Sequence, residues 1–483
     1  MNENYFSNLA LRSKTQKHRV EIRKQKTETI FNTKRLNSYF LEKNDRFDET
    51  PSNLHFLANL IKTNLTNENE LLGIITKLRQ NLVEFYEKEE IKKDYADFKL
   101  YFDFEIVKNL FFLLENNENV NILKETSWCI LIISSGTNEN CRKLQNFNLI
   151  LIFTNFLDKY YKSFDLIEIL FWTLGNMCVN IQNRDEIIEN DIVTKILFIF
   201  SHEHEIGTNL IITLLYLLER LLVDPIPNYK ILKYLLEPLI FLSEIKNEEI
   251  RANSLKLISI MAGEKNNSNY ISDLCEQENF LKNLAAGLMQ ENEKIFNLLM
   301  KIVSNITFGV SSQNLVLFST GILENLLNIL QPIKNERNRN ILIIFSNFLC
   351  GEIENVEPFI FLQGITRTLY IINNSDFELK KDALNVMFNL IYSSNEIQFK
   401  KIFDSGFFSV LLEEIKRDIF DINQIIEMLY VIEVLLKNEH IYLKDEKFLD
   451  EKKDIRISLE KLMNHENRTI VMLSSRILDI MDY

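Results

Sequence analysis

Glycine and proline are scarce, 11 and 6 among 483 residues. A β-rich chain would need turn signals roughly every 8–12 residues, so a mainly helical chain is expected. Cysteine is sparse as well: Cys129, Cys141, Cys178, Cys275 and Cys350 are scattered, odd in number and without C-x-x-C spacing. That pattern suits buried thiols in a reducing compartment, and neither a disulfide framework nor a zinc site. No run of about 18 uninterrupted apolar residues occurs, so no membrane insertion is expected. The N-terminus lacks the apolar core of a secretory signal, which points to a soluble, intracellular protein. G-x-x-x-x-G-K-[ST], G-x-S-x-G and H-E-x-x-H are all missing. His202, Glu203 and His204 form an H-E-H run, but histidines two apart point to different faces of a helix, so a surface loop is expected. No enzymatic role, cofactor or metal is assigned.

Hydrophobic residues make up 46% of the chain, and no linker rich in Pro, Gly or Ser divides it after the first 70 residues. One elongated helical body is the economical reading. Its net charge is −13, yet residues 12–35 hold nine Lys/Arg against Glu21 and Glu28, a local +7. The segment has no Pro or Gly and contains good helix formers. Such an arm can bind an acidic partner, fold back on the acidic body, or do both by turns. A solvated tail is the plain alternative. A mitochondrial transit peptide fits poorly, because Glu21 and Glu28 interrupt the basic run and no apolar stripe forms.

The body repeats. "SWCILIISSG", "FWTLGNMCVN", "LYLLERLLVD", "SLKLISIMAG", "MKIVSNITFG", "LIIFSNFLCG" and "LNVMFNLIYS" are each an apolar helical run followed by a break. Aligned on one slot, they place Trp128, Trp172, Tyr216, Leu255, Lys301, Ile343 and Asn385 in register, spaced 44, 44, 39, 46, 42 and 42. Gly136, Gly263, Gly309 and Gly351 follow the helix, and Gly321, Gly364 and Gly406 open the next one, allowing sharp reversals. A period near 42 belongs to armadillo or HEAT arrays. Four residues on, the same helical face carries Asn176, Asn305, Asn347 and Asn389. Unpaired amides in a core are costly, so a groove that holds something is the expected setting.

The sequence resembles the importin-α (karyopherin-α) family in three places. "RVEIRKQKTETIFNTKR" is similar to its importin-β-binding segment, "FWTLGNMCVNIQNRDEIIE" to its third armadillo repeat, and "LEKLMNHENRTIVMLSSRILDIMDY" to its last repeat. The resemblance implies an all-α, right-handed superhelical solenoid of about ten armadillo repeats preceded by a basic arm. It divides the chain into an importin-β-binding arm at 1–36, a flexible linker at 37–66 and an armadillo domain at 67–483. The implied function is a nuclear import adaptor, shuttling between cytoplasm and nucleus. It would bind Lys/Arg-rich cargo signals in its groove and importin-β through Arg19, Glu21, Arg23, Lys24, Lys26, Lys34 and Arg35. Recycling by an exportin with Ran-GTP is implied too; direct nucleic-acid binding is not.

In that family, indole rings sandwich Lys/Arg stems and amides hold the peptide backbone. Here the larger, N-terminal cargo site would comprise Trp128, Gly136, Cys141, Glu168, Trp172, Asn176, Asn180 and Tyr216. Ile132 and Arg220 stand where two further amides would be, and Cys141 and Asn180 replace the family's Thr and Asp. The smaller, C-terminal site would comprise Lys301, Asn305, Asn347, Asp382 and Asn389, with Ile343 and Asn385 in place of aromatic residues. The competing reading is an armadillo scaffold or regulatory subunit that binds an unrelated extended partner.

Overall fold

A computed structural model describes residues 51–63, 67–92, 104–136, 138–202, 206–263, 268–290, 293–350, 353–417, 420–438 and 446–482. The basic arm, with all seven residues expected to meet importin-β, lies outside them. Every described element is an α- or 3-10 helix. None of these helices is long and apolar enough to cross a membrane.

The chain divides into two compact units, residues 1–223 and 224–483. In the first, the helix pairs Pro51–Thr63/Glu68–Lys92 and Phe104–Asn116/Val120–Ser134 precede two three-helix repeats. These are Asn138–Gln145, Leu149–Lys159, Phe164–Met177, and Ile181–Glu189, Ile192–Phe200, Thr208–Leu221. The second unit holds repeats whose third helices are Glu248–Met261, Glu293–Ile306, Glu336–Phe348, Phe377–Ser393 and Ile422–Lys437, followed by the pair Glu446–Leu462/Arg468–Asp482. All seven slots aligned in the sequence fall on these last helices of their repeats. Three helices per unit make this an armadillo-repeat solenoid, which settles the choice against HEAT. Within the stretch expected as linker, residues 51–63 are helical and bury Leu57 and Ile61.

Third helices are apolar almost all round because neighbours cover three of their sides. On Phe164–Met177 only Phe164, Asp165, Glu168 and Trp172 escape burial. On Val120–Ser134 the residues left open include Asn121, Lys124, Glu125 and Trp128. The spacing i, i+3/i+4, i+7 is one narrow stripe per helix. Within each unit, polar ties join neighbouring repeats. Lys124–Asp165, Lys195–Asp158, Arg339–Asp382, Lys381–Asp421 and Lys401–Glu357 connect residues 37 to 44 positions apart, about one repeat.

The turn into the second helix uses a left-handed residue. Gly321 and Gly406 supply it at φ 78° and 83°, as the sequence leads one to expect. In the repeat between them Gln363 takes that place at φ 61°, and Gly364 is already helical. Gly364 answers a different need: a Cβ there would meet the Phe359 ring at 2.5 Å. Asn148 and Asp191 make the same turn in the first unit.

Candidate functional site

In the first unit the open stripes of Val120–Ser134 and Phe164–Met177 set Trp128 beside Trp172. The ring centroids lie 6.3 Å apart at an interplanar angle of 63°, an edge-to-face pair, and both rings stay partly exposed. Tyr216, on Thr208–Leu221, continues the row. Its ring crosses Gly175, where a Cβ would come within 2.6 Å of Tyr216 Cε1. The glycine of "LGN" is thus required by close approach.

Asn176 behaves differently from the expectation of an amide open to a ligand. It is 6% exposed, and its nitrogen donates to Ser134 Oγ (3.2 Å) and Ser135 Oγ (3.0 Å). Its oxygen accepts from the Tyr216 hydroxyl at 2.8 Å. The carboxamide is therefore satisfied by its own chain, tying the end of one third helix to the next two. Burial is affordable because every polar atom is matched. Ser134 and Ser135 were not singled out from sequence; the "SSG" break after the helix is the only signal they leave.

The residues around it also have structural partners. Cys141 is buried, and its thiol donates to the carbonyls of Ser134 (3.2 Å) and Asn176 (3.6 Å). It supports the face from below. Asn180 caps Ile181–Glu189, accepting from Asn183 N at 2.8 Å. Half-buried Gly136 ends Val120–Ser134, its N–H donating to the Ile133 carbonyl at 3.3 Å. Arg220 is half-buried and its Nε has no hydrogen-bond partner among the described residues. Burial pushes the nearby Cys178 thiol up to about 12, with Arg220 and Arg184 opposing it, so this thiol is no nucleophile.

Glu168 is the acid of this face. Burial holds its carboxyl above the ordinary glutamate range; the charge of Asp165 adds to the effect and that of Lys124 opposes it. A bound cation favours the ionised form, so binding must expel a proton once the pH nears the raised pKa. Affinity for a basic peptide is expected to fall as the pH drops, starting at a higher pH than an exposed glutamate would dictate. Glu168→Gln should bind more weakly and lose that dependence, as fluorescence anisotropy across a pH series would read. A flat wild-type profile contradicts the role.

In the second unit the aligned slots Leu255, Lys301, Ile343 and Asn385 hold no aromatic residue, and amides follow four residues after the last three. Asn305 is 3% exposed and donates to the Ser259 carbonyl at 2.9 Å. Asn389 donates to the Ser346 carbonyl (2.9 Å) and Oγ (2.8 Å). Asn347 is half-buried at the same register of the helix between them. The donor sides of Asn305 and Asn389 thus tie neighbouring repeats, as Asn176 does. The Asn389 oxygen makes no hydrogen bond among the described residues and can accept an N–H. Asp382 receives Arg339 Nε at 2.9 Å, so an internal cation already meets its charge. Lys301 is exposed.

Neither a family profile nor a curated protein matches the sequence. The chain is similar to the crystal structure of an engineered protein, with a TM-score of 0.64 and 15% identity over 88% of this chain and 99% of the other. That likeness concerns the fold alone. A designed armadillo repeat protein (TM-score 0.43, 19% identity, 51% of this chain and 99% of the other) is similar over a shorter span. So is a designed armadillo repeat protein in complex with the peptide (KR)4, at a TM-score of 0.44 and 20% identity over 51% and 99% of the two chains.

Proposed function

We propose that the protein is a transport adaptor that binds Lys/Arg-rich cargo signals on its third-helix face and importin-β through its basic arm. The observation that carries this reading is the Trp128–Trp172 pair with the half-buried Glu168 one turn before Trp172. Ring faces attract cations by roughly 0.5–2 kcal/mol each, and a desolvated carboxylate adds charge selection. An acidic body contributes a long-range field for basic ligands. The proposal includes shuttling between cytoplasm and nucleus and return by an exportin with Ran-GTP.

A specific set of observations favours the second reading, an armadillo scaffold for an unrelated extended partner. Asn176 is used up internally, Arg220 brings a cation to the face, and Arg339 occupies Asp382. The arm separates the two readings. A peptide of residues 1–40 is expected to retain importin-β, and the chain lacking residues 1–36 to lose it while its repeats stay folded by circular dichroism. Retention by the truncated chain refutes the adaptor. If Lys34 and Arg35 also fold back onto the face, truncation should tighten cargo-peptide binding by about tenfold or less.

A further inference from the structure

Aromatic residues recur on the third helices of the second unit. In the second unit, Tyr430 on Ile422–Lys437 lies 45 positions after Asn385, one repeat further on in the same register. Tyr392 sits three residues past Asn389 on the preceding third helix, Phe377–Ser393. Their relative exposures are 37% and 41%. Glu427, half-buried, stands one turn before Tyr430, much as Glu168 stands one turn before Trp172. Glu427 makes no hydrogen bond or ion pair among the described residues, and neither does the Tyr392 hydroxyl.

This wall already holds a cation of the chain itself. The Arg476 guanidinium lies 5.9 Å from the Tyr430 ring centroid and is ion-paired with Glu433. Lys437 also reaches Glu433, at 2.7 Å. Glu433 is therefore engaged by cations of the chain, while Tyr392 and Glu427 carry the same chemistry with no ion pair among the described residues.

We propose that Tyr392, Glu427 and Tyr430 form a further subsite that takes one lysine or arginine side chain of an extended basic segment. The proposal rests on the reading of the third-helix face as a binder of basic side chains. Its charge environment agrees. Burial holds the Glu427 carboxyl above the ordinary range, Lys381 opposing and Asp421 adding to the shift. Lys381 is itself engaged by Asp421 at 2.9 Å, so it does not neutralise Glu427 directly. Burial, with Glu427, Tyr430 and Glu433 nearby, also pushes the Tyr392 phenol up, so its ring stays neutral and can face a cation. A cation entering beside Glu427 would favour its ionised form. The subsite supplies the aromatic contact missing from the slots held by Ile343 and Asn385, and Asn389 one turn away on the helix of Tyr392 can hold the backbone.

The test uses the full chain and an alternating Lys-Arg octapeptide bearing a photoreactive group. Affinity is read by anisotropy, and cross-linked segments are mapped by mass spectrometry. Glu427→Gln, which keeps shape and removes charge, is expected to weaken binding about three- to tenfold and to erase cross-links on 377–393 and 422–437. Tyr392→Leu, a second variant that keeps apolar bulk, should act alike. Cross-links confined to 120–221, with Glu427→Gln neutral, overturn the subsite and leave the proposed function standing. Cross-links confined to the C-terminal helices, with Trp172→Ala neutral, uphold the subsite and remove the N-terminal face as the reader. Failure of the wild-type chain to bind the octapeptide overturns both.

Discussion

Replacing Trp172 with alanine is expected to weaken a short, single-cluster basic peptide by about five- to 150-fold, or roughly 1–3 kcal/mol. Trp172 stands at the centre of its face, edge-to-face with Trp128 and one turn beyond Glu168. One ring there can serve two neighbouring stems, so its removal costs more than a single cation–π contact. The effect should be specific to binding, since Trp172 is partly exposed and its helix is anchored by fully buried Leu166, Ile167, Leu170, Phe171 and Leu174. Asn347→Ala should cost less for the short peptide and more for a long two-cluster peptide. Titrating both peptides against both variants checks the ranking. A neutral Trp172→Ala with loss of short-peptide binding in Asn347→Ala would reverse it.

Glu414→Ala is expected to lower stability by about 3–5 kcal/mol. Lys380 Nζ and Glu414 Oε1 lie 2.7 Å apart, with side-chain exposures of 7% and 2%, and Arg417 adds a contact at 3.1 Å. The pair joins Phe377–Ser393 to Phe407–Ile415 in the following repeat. Removing the acid strands an ammonium group in the interior. Replacing both partners, Lys380→Met with Glu414→Leu, removes that penalty and should leave stability near wild type. In an array held by nearest-neighbour interfaces the damage should be local. Hydrogen exchange should therefore show lost protection across 377–437 in Glu414→Ala, with thermal unfolding lowered, and little change in the double variant. A loss under about 1 kcal/mol in the single variant contradicts the buried-pair account.

The period was legible because each third helix must bury three sides. Burial forces a nearly continuous apolar run, and a run that recurs every 39 to 46 residues is visible in a single sequence. The left-handed turns were legible only where glycine makes them, at Gly321 and Gly406. Asn148, Asp191 and Gln363 adopt the same backbone, and their residue types do not announce it. The helix at Pro51–Thr63 falls in the stretch that the resemblance assigns to a linker, and its own apolar pattern is short. Only its seat against Glu68–Lys92 and Phe104–Asn116 makes it a stable element.

By itself the sequence determined a helical repeat array, its register, and the positions at which aromatic, amide and acidic side chains recur on one helical face. These properties are periodic and local, so they need no knowledge of neighbours. Tertiary structure alone decided what those side chains do. Asn176 meets Ser134, Ser135 and Tyr216, all some forty residues away in sequence, because stacking brings one helix end against the next helix's open stripe. Asp382 meets Arg339 across one repeat in the same way. Glu427 makes no ion pair among the described residues, although it sits on a face of the same pattern. Whether a polar residue on a repeating face is spent on holding the array together or left to meet a ligand depends on what the neighbouring repeat places opposite it. Stacking geometry sets that, and no single repeat encodes it.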